Sequence, residues 1–346
     1  MEKMTYKERD RLGNLVPEIG QARVMEQIPQ YQVCELFNLF EAPEEKPESL
    51  RHVVFNIERG ITLQETIDFL NMCPDLKDAD FIYANELDDG MVRSGQKNVA
   101  REIADAIGMN YAYGLEFIEL VDPANEKGFH GNAFFSKWPI KWAKAIHLPE
   151  EYNWYFDRQK RIGGRLAILC AMDVCGQEIG AVTVHLENRT GSEGRVEQMA
   201  AVYAAVREHF PEGTPVMIGG DLNTNTFDGS DKEEVQRLFR NPEELKARID
   251  RIEQYEAALP QAEENGFRYK EFSSIEGTRR KPMPDGSKMI LKLDWLMARG
   301  MKCIDHGTIS TETRDCVWAQ PGSALANFKG EELSDHNACW AECILE

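Results

Sequence analysis

The sequence predicts an α/β protein in which mixed β-sheets form a sandwich covered by helices. After residue 50, apolar runs of strand length alternate with amphipathic helical segments. Further along, several strand-length runs follow one another with no helix between them. The composition is that of a folded protein, since 42% of the 346 residues are hydrophobic and 29% are charged. The length permits either two domains or one large domain.

The first predicted elements alternate between strand and helix. Residues 53–57 are an apolar run typical of a short buried strand, and residues 62–72 have the spacing of an amphipathic helix. A second apolar run at 81–84 predicts another strand. Ser94 is a candidate N-cap for the next helix, which Gly108 would close.

The rest of the chain is predicted to be rich in strands. These strands span 110–121, 131–136, 164–174, 178–185, 215–220, 290–298 and 337–344. A helix over 194–208 separates the fourth of them from the fifth. Consecutive strands broken by few helices favour a mixed sheet over a purely parallel one.

The chain is predicted to comprise an N-terminal extension at 1–50 and one domain at 51–346. The extension ends in an acidic, proline-containing stretch. Within the domain, residues 228–266 are strongly charged and helical in composition. Opposite charges there often lie three or four residues apart, which favours an exposed helical insertion over an independent domain.

The charge balance limits the possible partners. The 59 acidic and 40 basic residues give a net charge of −19, which repels phosphate backbones and disfavours extended non-specific binding to nucleic acid. An anionic substrate would therefore need local neutralisation, for example by a metal ion. The first thirty residues contain no apolar stretch typical of a secretory signal, and no window is apolar enough for a membrane span. We expect a cytoplasmic protein.

The eight cysteines include no CxxC pair. Reduced and largely buried thiols are therefore favoured over a zinc site or a disulfide framework. A cysteine-based hydrolase is disfavoured, because no cysteine lies in a recognisable nucleophile motif.

Polar residues lie in or next to several apolar strands, mostly where those strands end. They are Asn56, Glu86, His185, Asp221, Asn223, Asp294, Asp335 and His336. Each by itself has a structural explanation, such as a turn or a cap. Burying polar groups is costly unless they are paired, so the set as a whole indicates that these side chains converge.

Seven motifs in order carry a resemblance to a known family. They are FNIERG, ANELDD, GNAFFSKWP, VHLEN, GGDLNTN, LKLDWL and LSDHN. This series resembles the endonuclease/exonuclease/phosphatase superfamily over about residues 52–346. That superfamily includes pancreatic deoxyribonuclease, apurinic/apyrimidinic endonucleases, inositol-polyphosphate 5-phosphatases and neutral sphingomyelinases. The resemblance implies a DNase I-like, four-layer α/β sandwich of two mixed sheets packed face to face with helices outside.

The resemblance also implies a metal site. Glu86 matches the principal Mg²⁺ ligand of the family, with Asn56 and Asp335 beside the ion. Mg²⁺ prefers oxygen ligands and needs only one or two carboxylates, which suits this sparse set. Mg²⁺, or Mn²⁺ in its place, is therefore the expected cofactor.

The remaining motifs imply catalytic roles. Asp221 and Asn223 match the motif whose carboxylate orients or deprotonates the attacking water. His336 matches the histidine that faces the phosphate, Asp294 the acidic residue that orients it, and His185 the histidine on the other side.

Two asparagines match positions that donate to phosphate oxygens in the family. They are Asn188 and Asn132. A carboxylate that aligns water and imidazoles that stabilise developing charge are the groups that phosphoester hydrolysis requires.

Other polar residues near these motifs are interpreted as structural. His130 borders the expected site, but a packing role is favoured. The arginines in the same part of the chain are Arg161, Arg165, Arg189 and Arg195. They could hold an anion, although solvated surface arginines are the more common case. The segment HLENRTGSEGR resembles a stretch of 5′-tyrosyl-DNA phosphodiesterases, which is too short to choose a substrate.

The leading hypothesis is a Mg²⁺- or Mn²⁺-dependent hydrolase of phosphoesters. The substrate class stays open between a small phosphoester, a nucleic-acid end and a lipid head group, with the first two favoured. The alternative is a catalytically inactive binding module that retains the fold. A complete set of candidate site residues argues against that alternative.

Overall fold

The computed structural model describes residues 1–283 and 285–346. In chain order, the strands are β1 (Glu35–Phe37), β2 (Leu50–Arg59), β3 (Phe81–Asp89), β4 (Asn110–Glu119), β5 (Phe129–Ser136), β6 (Ile140–His147), β7 (Arg161–Gly163), β8 (Leu166–Val174), β9 (Gln177–His185), β10 (Val216–Asp221), β11 (Arg279–Pro282), β12 (Lys288–Leu291), β13 (Asp294–Arg299), β14 (Met301–Ile309) and β15 (Ala338–Leu345). The α-helices are α1 (Tyr6–Ile19), α2 (Gln21–Met25), α3 (Leu63–Met72), α4 (Val99–Ile107), α5 (Ser192–His209), α6 (Lys232–Phe239), α7 (Pro242–Ile249), α8 (Ala258–Glu264) and α9 (Ala324–Asn327).

The strands form two mixed sheets and a small hairpin. The first sheet has the order β1-β4-β5-β3-β2-β15-β14, with β7 also paired to β4. The second sheet has the order β13-β10-β9-β8-β6, and β11 pairs with β12 in the hairpin. Among the described residues, one pair of strands in each large sheet is parallel, namely β2 with β3 and β9 with β10. The predicted mixed sheets are therefore confirmed.

The two large sheets pack face to face, with helices on their outer surfaces. Val54 of the first sheet and Met217 of the second belong to one apolar core between the sheets. The neighbouring Val53 and Phe55 point outward and pack with α3 and α4, because successive side chains of a strand face opposite ways. Helices α5 and α8 cover the second sheet in the same manner. This arrangement confirms the four-layer α/β sandwich.

The structure corrects several local predictions. Helix α4 begins later than predicted, and Asn98 rather than Ser94 caps it, since the Asn98 side chain accepts a hydrogen bond from the backbone N–H of Arg101. The predicted strand at 290–298 is two strands, β12 and β13. The sequence analysis did not identify β6 or β14. Both strands are partly exposed, and their polar residues break the apolar run that marks a buried strand.

The first 50 residues pack against the first sheet. Strand β1 pairs with β4, and α1 carries the fully buried Arg9, whose Nη1 donates to the carbonyl of Lys127 at 2.9 Å. The division of the chain at residue 50 and the treatment of 228–266 as an insertion stay predictions. Among the described residues, all eight cysteines are free and five are buried, and no helix is long and apolar enough to cross a membrane.

His52 on β2 makes the stability of the fold depend on pH. Burial lowers the pKa of His52 from 6.5 to about 3, so below its usual pKa the unfolded chain binds a proton that the native protein does not. Stability is therefore lost as the pH falls. We expect His52→Gln to reduce the slope of the unfolding free energy against pH by up to about 1.4 kcal/mol per pH unit between about pH 6 and pH 4. Urea unfolding at several pH values measures it.

The matched control for His52→Gln is His306→Gln, at a half-buried position on β14. It should leave the slope of stability against pH close to that of the wild type. An unchanged slope in His52→Gln would contradict the prediction.

Candidate active site

The candidate site lies where the two sheets meet at one end of the sandwich. Strand residues at inward-facing positions from both sheets converge there, and they are Asn56, Asn85, Asn132, His185, Asp221 and Asp294. Each lies an even number of residues from a core residue such as Val54 or Met217, so strand alternation points its side chain between the sheets. The carboxyl ends of the parallel pairs β2/β3 and β9/β10 lie at this end.

Asn85 joins the two sheets at the site, and the sequence analysis did not select it. Its amide donates to the Asn132 side chain and to the carbonyl of Val184, both at 3.1 Å. Its Oδ1 accepts from the backbone N–H of Asp221 at 2.9 Å. A polar residue at an inward position of an otherwise apolar strand was the signal that could have identified it.

Replacing Asn85 with Leu should destabilise the fold by about 3 kcal/mol. The change leaves a buried N–H of Asp221 and a buried carbonyl of Val184 without their partners, at about 1–3 kcal/mol each. Urea denaturation measures the loss. The control is Asn71→Leu on the exposed face of α3, and a loss for Asn85→Leu no larger than for this control would argue against the role of Asn85.

Asp221 lies at the centre of the site. Its Oδ2 is 3.6 Å from His185 Nε2 and 3.7 Å from His336 Nε2, and it accepts from the Asn56 amide at 3.2 Å. Its Oδ1 accepts from the backbone N–H of Asn223 at 2.9 Å. Burial and the nearby Asp294 raise the pKa of Asp221, although both histidines oppose that shift. A raised pKa makes the ionised carboxylate a better proton acceptor.

Asp294 and His336 form the pair that the sequence predicted. His336 Nδ1 lies 2.8 Å from Asp294 Oδ2, and both side chains are buried. Burial alone would lower the pKa of His336, but Asp294, Asp221 and Asp335 together raise it to about 9. The imidazole is therefore a cation at neutral pH, with Nε2 directed toward Asp221.

His185 has a second set of partners that the sequence did not identify. Its Nδ1 lies 3.2 Å from Glu116 Oε2, and Nη1 of Arg165 lies 2.9 Å from the same ring nitrogen. Burial would raise the pKa of Glu116, but His185 and Arg165 lower it to about 2. Glu116 comes from β4, so only the pairing of the sheet brings it to this histidine.

A group of carboxylates lies beside Asp221. Burial would raise the pKa of Glu86, but Arg59 and three histidines hold it well below its usual range. Asp335 is likewise kept ionised, and Arg279 donates to its Oδ2 from two nitrogens at 3.0 and 2.7 Å. Glu58 completes the group, since its Oε2 accepts from the backbone N–H of Asp335 at 3.1 Å. The sequence analysis did not identify Glu58 or Arg279.

The donor atoms present fit a hard divalent cation. Glu86 and Asp335 supply ionised oxygens, and no thiolate lies among these groups. Asn56 directs its amide N–H groups at Glu86 and Asp221, while its Oδ1 accepts from the backbone N–H of Glu58. In this arrangement Asn56 acts as a donor, and its place beside a metal stays a prediction.

A second group of possible metal ligands lies next to this one, since His336 Nε2 is 3.8 Å from Asp335 Oδ1. One ligand atom from each of three buried residues lies within 4.8 Å of the others, and the residues are Asp221, Asp294 and His336. Asp294 Oδ1 has no hydrogen-bond partner among the described residues. Because the His336 ring is a cation that bonds to Asp294 Oδ2, it offers no lone pair to a metal ion, and we favour Glu86 and Asp335 as the metal-binding carboxylates.

The other predicted asparagines, Asn132, Asn188 and Asn223, differ in their hydrogen bonding. Asn223 donates to the carbonyl of Leu186 at 2.9 Å, and its φ of 48° places it in the left-handed region. Within the part of the chain that the structure describes, Asn132 Nδ2 and Asn188 Oδ1 are buried without a partner. Asn188 also lines the open cavity over the site. The free Asn132 amide leaves a donor available for a ligand.

That cavity has a volume of about 320 Å³ and is lined largely by basic side chains. His130, whose Nδ1 lies 2.8 Å from Asp88 Oδ1, is part of its wall. The interpretation of the neighbouring arginines as solvated surface residues is wrong for Arg161, Arg165 and Arg195, which are all buried. Only the pairing of distant segments buries them, so the local sequence gave no sign of it.

Comparison of the fold with solved structures identifies its relatives in architecture. An endonuclease/exonuclease/phosphatase family protein from Bacteroides thetaiotaomicron matches with a TM-score of 0.54 and 14% identity, over 87% of this chain and 97% of that chain. A mannosyl-6-phosphatase from the same organism matches with a TM-score of 0.52 and 15% identity, over 86% and 100% of the two chains. Humanized D. rerio TDP2 matches with a TM-score of 0.51 and 15% identity, over 86% and 100%.

Comparison by sequence finds nothing further. No protein-family model matches the chain, and no curated protein matches it. At such low identities, the structural matches establish architecture. The chain has the endonuclease/exonuclease/phosphatase fold, as the order of its motifs predicted.

Proposed function

We propose that this protein is a Mg²⁺- or Mn²⁺-dependent hydrolase of phosphoesters that uses a water molecule as the nucleophile. The observation that carries the proposal is the position of the Asp221 carboxylate. It lies within 3.7 Å of a ring nitrogen of two histidines, and ionised carboxylates suited to a hard cation lie beside it. A proton acceptor, donors on both sides and a cation site are together what hydrolysis of a phosphoester requires.

The chain's own residues divide the work. Asp221 aligns the water and accepts its proton, and Asn223 fixes the Asp221 carboxylate through its backbone N–H. His336, kept charged by Asp294, and His185, held by Glu116, donate to the phosphate oxygens from two sides. The unpartnered amide of Asn132 is a further donor, and Asn188 lies at the edge of the same space.

The cation would be held by Glu86 and Asp335, with Asn56 beside them. When bound, a divalent ion neutralises phosphate charge and stabilises the leaving oxygen. The arginines next to these carboxylates, Arg59 and Arg279, keep the two oxygens ionised before any ion arrives.

The comparisons support the reaction class as well as the fold. One structural neighbour is named as a phosphatase, and several carry the endonuclease/exonuclease/phosphatase name. An inactive binding module would be expected to have lost part of the catalytic set. Here Asp221, Asn223, Asp294 and His336 are all present. Asp221 lies within 3.7 Å of both Asn223 and His336, and His336 bonds to Asp294.

Turnover of simple chromogenic phosphoesters tests the proposal. With Mg²⁺ or Mn²⁺ added, the protein should hydrolyse p-nitrophenyl phosphate, bis(p-nitrophenyl) phosphate or both. A chelator should abolish the activity, and excess Mg²⁺ should restore it. Activity that persists in the chelator after dialysis, or no turnover of either compound with either ion, would refute the proposed function.

A further inference from the structure

The cavity over the site concentrates positive charge in an acidic protein. Six arginines line it, namely Arg59, Arg158, Arg161, Arg165, Arg189 and Arg279. The chain as a whole carries a net charge of −19. A cavity wall of one sign in a protein of the other sign is a local feature that attracts anions.

Half of these arginines already contact carboxylates. Arg59 faces Glu86, Arg165 faces Glu116 and Glu187, and Arg279 pairs with Asp335. In the described ranges, 1–283 and 285–346, the remaining three make no such ion pair. They are Arg158, Arg161 and Arg189.

A carboxylate of the cavity wall has its own partners. Asp157 accepts from the Tyr152 hydroxyl at 3.0 Å and from the backbone N–H of Gln159 at 2.9 Å. Burial would raise the pKa of Asp157, but these hydrogen bonds lower it, and the charges of Arg189 and Arg161 add to that shift. Asp157 nevertheless forms no ion pair with an arginine of the described residues. The positive charge of the unpaired arginines therefore remains available to a ligand.

Arg161 is the least explained of the three. It is only 8% exposed, and its guanidinium stacks 4.0 Å from the ring centre of Trp154 and 4.3 Å from that of Phe117. Its one side-chain hydrogen bond, to Gln159 Oε1, is 3.4 Å long, and its Nε has no partner among the described residues. A buried charge costs several kcal/mol unless it is paired. Although burial lowers the pKa of Arg161 to about 10, it stays charged at neutral pH.

The unpaired arginines and the candidate catalytic groups share one space. Glu86 and Arg165 line the same cavity, and Arg165 Nη1 lies 2.9 Å from His185. An anion held by Arg161 and Arg189 would therefore occupy a separate position beside a phosphoester held between His185 and His336.

We propose that Arg161 and Arg189, with Arg158 at the rim, bind a second anionic group of a small phosphoester substrate. This inference rests on the proposed function, because it places the scissile phosphoester at Asp221. The second group is a phosphate or a carboxylate, both of which guanidinium groups bind through paired N–H donors. A cavity of about 320 Å³ suits a small molecule, whereas the net charge of −19 opposes a long polyanion.

Paired substrates test the inference in the full-length protein. A hexose bisphosphate should have a KM at least about tenfold lower than either hexose monophosphate, a difference of about 1.4 kcal/mol. Arg161→Met keeps an apolar chain for stacking and removes the charge. It should raise KM for the bisphosphate about tenfold with little change in kcat, and leave the monophosphates unaffected. A hexose phosphate that also carries a carboxylate distinguishes the two kinds of anion.

Two further variants guard against a folding artefact. Arg189→Gln should raise the same KM, and the Arg189 guanidinium lies farther from the Trp154 ring centre, at 6.0 Å, than that of Arg161, at 4.0 Å. Arg207→Gln is the matched control, because Arg207 lines a different cavity next to α8. It should change neither the KM for the bisphosphate nor that for the monophosphates. The thermal midpoints of all three variants should be measured to confirm that they fold.

Binding of methylenediphosphonate without divalent ions separates the subsite from catalysis. Calorimetry should show binding to the wild type that weakens about tenfold in Arg161→Met and is unchanged in Arg207→Gln. Equal KM values for bisphosphate and monophosphates, or a preference for a short phosphorylated oligonucleotide, would overturn the inference and leave the proposed hydrolase intact. If no phosphoester were turned over, the proposed function would be overturned. If, in addition, Arg161→Met bound the diphosphonate as tightly as the wild type does, the anion subsite would be overturned as well.

Discussion

Asp221→Asn is expected to lower kcat for phosphoester hydrolysis by about 10³-fold, or about 4 kcal/mol of activation free energy. Asparagine keeps the size of the side chain but cannot accept the proton of the attacking water. It also places an amide N–H where His185 Nε2 and His336 Nε2 now face a carboxylate oxygen. The rate with saturating Mg²⁺ and bis(p-nitrophenyl) phosphate measures the effect.

The loss should come without unfolding. Asp221 has a raised pKa because it is buried and lies near Asp294, so removing its charge relieves a cost in the native state. The thermal midpoint should be equal to or above that of the wild type. Asp105→Asn, at an exposed position on α4, is the control and should keep full activity. Wild-type turnover in Asp221→Asn would exclude a proton acceptor at this position.

Glu86→Gln is expected to raise the Mg²⁺ concentration needed for half-maximal activity by about 100-fold. Loss of a residue in the outer shell of a metal site typically costs about 10- to 100-fold in affinity, and loss of a direct carboxylate ligand should cost at least as much. Glu86 is ionised because Arg59 and three histidines outweigh its burial. Calorimetric titration with Mg²⁺ and activity over a range of Mg²⁺ concentrations measure the change.

The control for Glu86→Gln is Glu102→Gln, which removes one exposed carboxylate from α4. It should bind Mg²⁺ as the wild type does. If Glu86→Gln also kept wild-type Mg²⁺ affinity while losing activity, Glu86 would be acting on the substrate and the metal site would have to lie elsewhere, for example at Asp221, Asp294 and His336.

Local pattern was enough for most of the fold. Apolar runs, as in β2, β8 and β10, marked the buried strands because both of their faces lie in cores. Exposed edge strands such as β14 carry no such run, so they were not predicted. The N-cap of α4 could not be predicted from residue type, because Ser94 and Asn98 are both good N-cap residues. In the structure the helix begins after Asn98.

Candidate catalytic residues were predictable where they lie at or near strand ends in recognisable motifs. Asp221, Asp294 and His336 are examples, and the structure brings them within contact distance of one another. Glu116 and Asn85 lie inside strands and touch the site only through partners on other strands. Their roles depend on which strands are neighbours, which no single segment specifies.

The sequence by itself determined the alternation of strands and helices, the motif order and the candidate metal and catalytic residues, because each depends on residue type and short spacing. Tertiary structure alone decided which side chains meet between the sheets and which charges are left without partners. Arg161 shows the difference: by composition it is one of many charged residues, but the folded chain buries it between Phe117 and Trp154, and within the described residues no carboxylate is close enough to form an ion pair with it. This burial is the reason for proposing an anion site at Arg161, because the free energy of a charge depends on its surroundings.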